Sequence, residues 1–365
     1  MVIFVDEQIP FLAESLASVG EVHTFNGRSL TRKHLSESNC EFLFVRSTTK
    51  VNQNLLDGTK VIFVGTATSG IDHIDTDYLK SKNIHFVEAK GSNANSVAEY
   101  VVFSILHWSK INQIDFKSQT IGIIGFGNIG KLVAKYSSLL GLKILINDPP
   151  LLEESYKKNI NPFPNYVKYC ELDDLLRNST IVTNHTPLTM TDKYPTYRLL
   201  DEEKLQLIEP YSLFIHTSRG SVVVEKDLLD LQPEKKFSLV IDVWENEPNI
   251  NTELVKECMI CTPHVAGYSY DGKLRGTLKM LSEFEKFTNI KPNYSLIEKE
   301  ISKYQPLSSE YFNNPDYIYE KLQQNRCLLE DTEQFKTIFS ISNPTERAKF
   351  FDSLRKNYPK RRETL

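Results

Sequence analysis

The sequence predicts an α/β protein: two Rossmann-like, doubly wound parallel-sheet domains followed by a small C-terminal α+β dimerisation domain. Three observations carry that prediction. Short continuous runs of Val, Ile, Leu and Phe alternate with segments of helical length, a glycine fingerprint sits where one such run opens into a helix, and the composition turns to Pro, Asn, Tyr and charge after Lys291. Unbroken apolar runs imply strands buried on both faces, as in parallel sheets covered by helices. A chain of 365 residues has room for roughly two or three such cores.

Taken in order, "VIFV", "FLFVRS", "KVIFVGTA" and "IHFVEA" read as the strands of a first domain over residues 1–92. The pattern restarts at "SNANSVAEYVVFSILHWSKI", a long apolar helix with Ser and Asn before it and Glu99 inside it. It opens a second domain over 93–267, in which "TIGII", "LKILIN", "STIVTN", "YSLFIH", "FSLVI" and "MIC" supply the six strands of a complete dinucleotide fold. After Gly267, "YDGKLRGTLKMLSEFEKFTN" is an amphipathic helix able to return the chain and complete the first domain with 268–290. Residues 291–365 form the third unit, and Tyr304, Tyr311, Phe312, Tyr317 and Tyr319 suit it to a homodimer interface.

The net charge of −4 gives no basic field for nucleic acid or an anionic membrane, which leaves a small molecule as the expected partner. The start "MVIFVDEQIP" lacks a basic leader, and no apolar run is long enough to span a bilayer, so the expected location is the cytoplasm. Five scattered cysteines suggest reduced thiols, and "CMIC" reads as buried structure; no metal site is expected.

"GFGNIG" places Gly125, Gly127 and Gly130 in dinucleotide spacing, with Asn128 and Ile129 starting the helix. The first glycine permits the tight turn, the second lets a pyrophosphate approach the backbone, and the third allows close packing of helix on strand. Asp148 ends the next strand, where an acid accepts from ribose hydroxyls and repels a 2′-phosphate, so the expected cofactor is NAD. The competing reading is an Asp that caps the turn before Pro149 and Pro150.

Three further features fall at successive strand ends: Arg219 in "HTSRG", the run "DVWENEP", and His264 in "TPHVAG". In an open α/β sheet such ends line the ligand crevice. Oxidising an alcohol beside a carboxylate requires a cation for the carboxylate, a base for the hydroxyl proton and a hydride acceptor. Arg219 suits the first role through its planar fork, and His264 the second, since imidazole titrates near neutrality. Among the three acids, Asp242 should lie beside the nicotinamide, Glu245 should turn to solvent, and Glu247, braced by Pro248, is best placed to reach His264.

"GFGNIG", "DPP", "HTPLT", "SRG", "DVWENEP" and "TPHVAGY" together resemble the D-2-hydroxyacid dehydrogenase family. That resemblance implies Arg219, Glu247 and His264 as its catalytic triad. It also implies substrate contacts from Ser47, Thr68 and Tyr268, and NAD contacts from Asp148, Thr186, Thr217, Ser218, Arg219, Asp242 and Gly267. The likeness to one branch of the family spans nearly the whole chain, including a C-terminal unit that members of ordinary length lack. It implies oxidation of a phosphorylated 2-hydroxy acid; a dehydrogenase of glycerate or 3-phosphoglycerate and an NAD-sensing corepressor are the competing readings. His216 stands where the family usually has Asn, which puts one local hydrogen bond in question. For the phosphate, Arg46 at the end of "FLFV", with Ser47 and Lys50, could hold a dianion, against the alternative of a solvated strand-end arginine.

Overall fold

The computed structural model describes residues 1–365, which divide into two compact units. The first comprises Met1–Asn93 and Tyr268–Gln305, and the second Ala94–Gly267 and Pro306–Leu365.

The first unit is built on five parallel strands: β1 (Val2–Asp6), β2 (Glu21–Phe25), β3 (Phe42–Val45), β4 (Phe63–Thr66) and β5 (His85–Glu88), ordered β2-β1-β3-β4-β5. Because side chains alternate along a strand, each run feeds two cores. Ile3, Val5, Phe42 and Phe44 enter one, and Phe4, Leu43 and Val45 the other. The helix Tyr270–Thr288 supplies Leu274, Met280, Leu281 and Phe284 to the first of these cores, which fixes it to this sheet.

The second unit has seven parallel strands: β6 (Thr120–Ile124), β7 (Lys143–Asn147), β8 (Lys168–Tyr169), β9 (Ile181–Asn184), β10 (Leu213–His216), β11 (Ser238–Ile241) and β12 (Cys258–Cys261). Their order is β12-β11-β10-β9-β6-β7-β8, so the direction of winding reverses between β6 and β9, where α/β sheets bind their ligands. One face is covered by the helices Ala94–Asn112 and Asn128–Leu140. Most of the former helix is buried, Ser96, Glu99, Ser104 and Ser109 along with its apolar residues. The other face packs on Leu175, Leu205, Leu228 and Leu254.

The C-terminal segment departs from expectation in two ways. It contains helices and no strand, so it is not an α+β unit, and it does not stand apart as 291–365. Residues through Gln305 belong with the first sheet; the remainder covers both faces of the second. Phe312, Ile318, Leu322 and Leu328 join one core, and Phe335, Ile338 and Phe351 the other. Two of the aromatics expected at a subunit interface, Phe312 and Tyr319, take part in this packing. Phe312 is buried and stacks on Tyr136, and Tyr319 stacks on Phe103 and hydrogen-bonds His107 Nδ1 at 3.0 Å. Tyr311 remains exposed, stacked on Tyr317.

Burial pushes the thiols of Cys258 and Cys261 upward, the latter to about 12, which suits inert core residues. No helix is long and apolar enough to cross a membrane.

Candidate active site

The turn after β6 carries the glycine fingerprint. Gly125 has φ +88, a left-handed conformation costly for a residue with a Cβ. A Cβ on Gly130 would lie 2.1 Å from the Gly125 carbonyl oxygen, so only glycine lets the helix Asn128–Leu140 start this close to the turn. At Gly127 a Cβ would meet nothing within 4 Å. Gly127 is also the N-cap of that helix and gives it no side-chain cap, so the first-turn amides of Asn128, Ile129 and Gly130 keep the donor capacity that a pyrophosphate takes up.

Asp148 fulfils the capping role and braces the turn as well. Its Oδ1 accepts from Leu151 N at 2.9 Å, and its Oδ2 accepts from Phe126 N at 2.7 Å. Each oxygen retains a lone pair, so capping leaves room for ribose hydroxyls. On the other side of the switch point, His185 N donates to Ile124 O, and Asn184 Oδ1 accepts from both the amide and the hydroxyl of Thr186, at 3.1 and 2.9 Å. Asn184 Nδ2 donates to Ser218 Oγ at 3.0 Å, and Thr217 Oγ1 lies 3.3 Å from His185 Nδ1. These bonds tie the loop after β9 to the loop after β10.

His216, the departure from the family pattern, closes this network from inside the sheet. It is buried, with Nδ1 3.5 Å from Asn184 Nδ2 and Nε2 3.4 Å from Gly220 O. Burial pulls its imidazole down to about 4, so it is neutral at physiological pH and the local hydrogen bonds survive the change of residue type.

Backbone hydrogen bonds lace the last three strand ends together: Asp242 N donates to His216 O at 3.0 Å, and His264 N donates to Asp242 O at 2.7 Å. The Asp242 carboxylate, expected to face the nicotinamide, is committed to its own chain. It accepts from Thr262 Oγ1 at 2.6 Å, Val265 N at 2.7 Å and Ala266 N at 3.0 Å, and thereby shapes the His264 loop. Burial pushes this carboxyl upward, against the His264 charge and these donors. Gly267 ends the same loop, half-buried.

His264 adopts φ 58 and places Nδ1 2.8 Å from Glu247 Oε2. The other carboxylate oxygen, Oε1, accepts from Trp244 N at 3.0 Å. Burial works to raise the Glu247 carboxyl, but the His264 charge and hydrogen bond, the Trp244 amide and the Arg355 cation together hold it below its ordinary range. Glu245, expected in solvent, is half-buried, and its amide donates to Glu225 Oε1 at 2.6 Å. Arg219 is half-buried on the loop after β10, and its Nη1 donates to Ser218 O at 2.9 Å. The next residue, Gly220, passes so close to the Glu247 loop that a Cβ there would lie 2.0 Å from Trp244 O. This contact fixes the arginine loop against the acid–base loop.

The remaining candidates lie in the first unit. Arg46 is neither free nor simply solvated, because its Nε lies 3.3 Å from Oδ1 of the buried Asp6. Ser47 and Lys50 beside it are exposed. Thr68 Oγ1 donates to Gly70 O at 3.0 Å and lies 2.8 Å from Thr66 Oγ1. Tyr268 is half-buried at the start of the returning segment.

Three residues near the pair escaped the sequence reading. Glu225 is a buried carboxylate that burial, with the Glu245 and Glu247 charges, pushes up to about 7 against the Glu245 amide. Arg326 is buried and donates to Ala266 O at 2.7 Å and Ser96 O at 2.6 Å, holding the far side of the His264 loop. Arg355 lies 4.0 Å from Glu247 Oε2.

The family model for the NAD-binding domain of D-isomer specific 2-hydroxyacid dehydrogenases matches residues 100–266. The protein is an NAD-dependent oxidoreductase of that class. Within the class, the chain belongs to the erythronate-4-phosphate dehydrogenase family. It is 35% identical to the erythronate-4-phosphate dehydrogenase of Wigglesworthia glossinidia brevipalpis over 100% of this chain and 92% of the relative. It is 36% identical to that of Hahella chejuensis, over 99% and 92%. Among solved structures, the D-lactate dehydrogenase of Aquifex aeolicus in complex with NAD and lactic acid aligns with a TM-score of 0.64 and 26% identity. That alignment covers 79% of this chain and 96% of the other.

Proposed function

We propose that the protein oxidises 4-phospho-D-erythronate at C2, giving (R)-3-hydroxy-2-oxo-4-phosphooxybutanoate, a step of pyridoxal 5′-phosphate (vitamin B6) biosynthesis. The observation that carries this reading is the His264–Glu247 pair at 2.8 Å, with Glu247 beyond the strand next to that of Arg219, in a chain alike over its full length to relatives named erythronate-4-phosphate dehydrogenase.

When bound at the Gly125–Gly130 turn, NAD supplies the hydride acceptor. Arg219 takes the substrate carboxylate in its fork, which orients C2 and its hydroxyl. His264, with Nδ1 engaged by Glu247, offers Nε2 to the C2 hydroxyl and removes its proton as the carbonyl forms. Glu247 fixes the tautomer and stabilises the imidazolium. In the reverse direction the same imidazolium returns the proton. Ser47, Thr68 and Tyr268 are assigned to the substrate, and Arg46 to its phosphate. The enzyme is read as a cytoplasmic homodimer; sedimentation of the purified protein tests the dimer.

The deciding assay follows NADH absorbance with purified protein, NAD and a panel of 2-hydroxy acids: 4-phospho-D-erythronate, D-erythronate, D-glycerate and 3-phospho-D-glycerate. Turnover is expected to be fastest with the first. Preference for a three-carbon acid would favour the nearest rival, and NAD binding without any turnover would favour a sensor.

A further inference from the structure

The pair His264–Glu247 does not end at the carboxylate. Glu247 Oε2, the oxygen bound by His264 Nδ1, also lies 4.0 Å from Arg355 Nη1, supplied by the C-terminal helix Pro344–Lys356. An aromatic relay fixes that helix. Trp244, whose amide holds Glu247 Oε1, meets the Phe335 ring at 5.6 Å, and Phe335 meets Phe351 at 5.9 Å edge-on. Arg355 follows Phe351 by one helical turn and lies over its ring, with the guanidinium carbon 5.8 Å from the centroid. The Arg355 Nε is buried and has no hydrogen-bond partner, so packing and the Glu247 charge, not a network of bonds, hold the side chain in place.

We propose that Arg355 is a positioning residue of the acid–base pair: its guanidinium shares the Glu247 carboxylate with His264 and thereby sets how firmly the imidazole retains a proton. The structural role of the C-terminal segment then extends into the chemistry, by way of a cation that the sheet domain does not itself supply at this carboxylate.

Electrostatic surroundings make such a cation consequential. Glu225, Glu245 and Asp242 lie around the pair, with His216 neutral below it and Arg219 on the neighbouring loop. The Asp242 and Glu247 carboxyls both interact with the His264 charge, and a base that stays protonated cannot accept the hydroxyl proton. Arg355 offsets that interaction from the Glu247 side. The side chain is 27% exposed, so solvent screens it and the effect is moderate.

This inference rests on the reading of His264 as the base, and the test separates the two. Arg355→Met keeps an unbranched stem over Phe351 and removes the charge. In the full-length variant the His264 imidazole resonances, followed by NMR without substrate, should titrate with a midpoint higher by on the order of 0.5–1 pH unit. The acidic limb of kcat/KM for NAD-dependent oxidation of 4-phospho-D-erythronate should move up with it. Arg355→Lys retains the charge and should leave the midpoint within about 0.3 unit of the parent. An unmoved midpoint in a folded Arg355→Met protein overturns the proposal, as does an Arg355→Lys protein shifted upward by 0.5 unit or more, even if Arg355→Met does not fold. A shifted midpoint in a protein that never turns over 4-phospho-D-erythronate would sustain this proposal and sink the substrate assignment.

Discussion

His264 Nδ1 and Glu247 Oε2 stand 2.8 Å apart across two loops that leave adjacent strands, and the second Glu247 oxygen is anchored by Trp244 N. A carboxylate held at both oxygens cannot swing away, so the imidazole tautomer is fixed before substrate arrives. Glu247→Gln removes the charge but keeps an acceptor. The imidazolium is then less stabilised, so the acidic limb of the oxidation profile should move to lower pH, and turnover should fall by about 10-fold or more. His264→Ala should lower kcat by about 10²-fold or more while NAD affinity, measured by calorimetry, stays within about twofold. Near-normal turnover of the Ala protein would remove His264 from the chemistry.

The fingerprint glycines make contrasting predictions. A Cβ on Gly130 collides with Gly125 O at 2.1 Å, whereas one on Gly127 meets nothing within 4 Å. Gly130→Ala should therefore destabilise the fold by roughly 2 kcal/mol or more, seen as a lower Tm without cofactor. Gly127→Ala should melt close to the parent yet bind NAD at least about 10-fold more weakly, since its methyl group enters the space through which the pyrophosphate approaches. Equal NAD affinity in Gly127→Ala would place the phosphates elsewhere.

Glu225 predicts a pH-dependent stability. Burial first, then the neighbouring Glu245 and Glu247 charges, carry its carboxyl from 4.5 up to about 7. A folded-state value above the unfolded one means stability fully present below about pH 4.5 and lost as pH rises through about 7. Glu225→Gln keeps the acceptor for Glu245 N and removes this loss. Its Tm relative to the parent should therefore rise between about pH 5 and about pH 8, by a free energy of up to roughly 3 kcal/mol. A constant difference across that range would mean that Glu225 does not titrate there.

What the sequence made legible follows from how local each signal is. The buried strands announced themselves as unbroken apolar runs. β2, "EVHTF", and the two-residue β8 did not, because both lie at sheet edges where half the residues meet solvent and no continuous run is needed. The placement of Arg219, Glu247 and His264 at neighbouring strand ends was readable because strand ends in a parallel sheet lie together whatever their separation in sequence. Glu225, Arg326 and Arg355 were not readable. Each reaches its partner only through tertiary packing, and in sequence each looks like an ordinary charged helix residue. The C-terminal unit was misjudged for a related reason. Phe312 and Tyr319 have the composition of an interface and pack instead within their own chain, as Phe335 and Phe351 do on the other face of the second sheet.

Arg46 offers the last prediction, and its geometry alters the experiment needed. Asp6 is 1% exposed, with Oδ1 accepting from Gln8 N at 2.9 Å and lying 3.3 Å from Arg46 Nε, while Oδ2 is buried without a hydrogen-bond partner. Removing Arg46 alone would strand a buried carboxylate, so Arg46→Ala should cost about 2–3 kcal/mol of stability in denaturant titrations, whatever its role in binding. The functional effect must be isolated by also removing the charge that Arg46 balances. In Asp6→Asn with Arg46→Met, stability should return to within about 1 kcal/mol of the parent, because neither side chain leaves an unpaired charge behind. If Arg46 also takes the substrate phosphate, the double variant should still lose on the order of 2–3 kcal/mol in kcat/KM for 4-phospho-D-erythronate and little for D-erythronate. Recovery of both stability and phosphate preference in the double variant would confine Arg46 to supporting the first sheet, and the search for the phosphate site would then turn to Lys50 and the exposed residues Ser47 and Thr48 after β3.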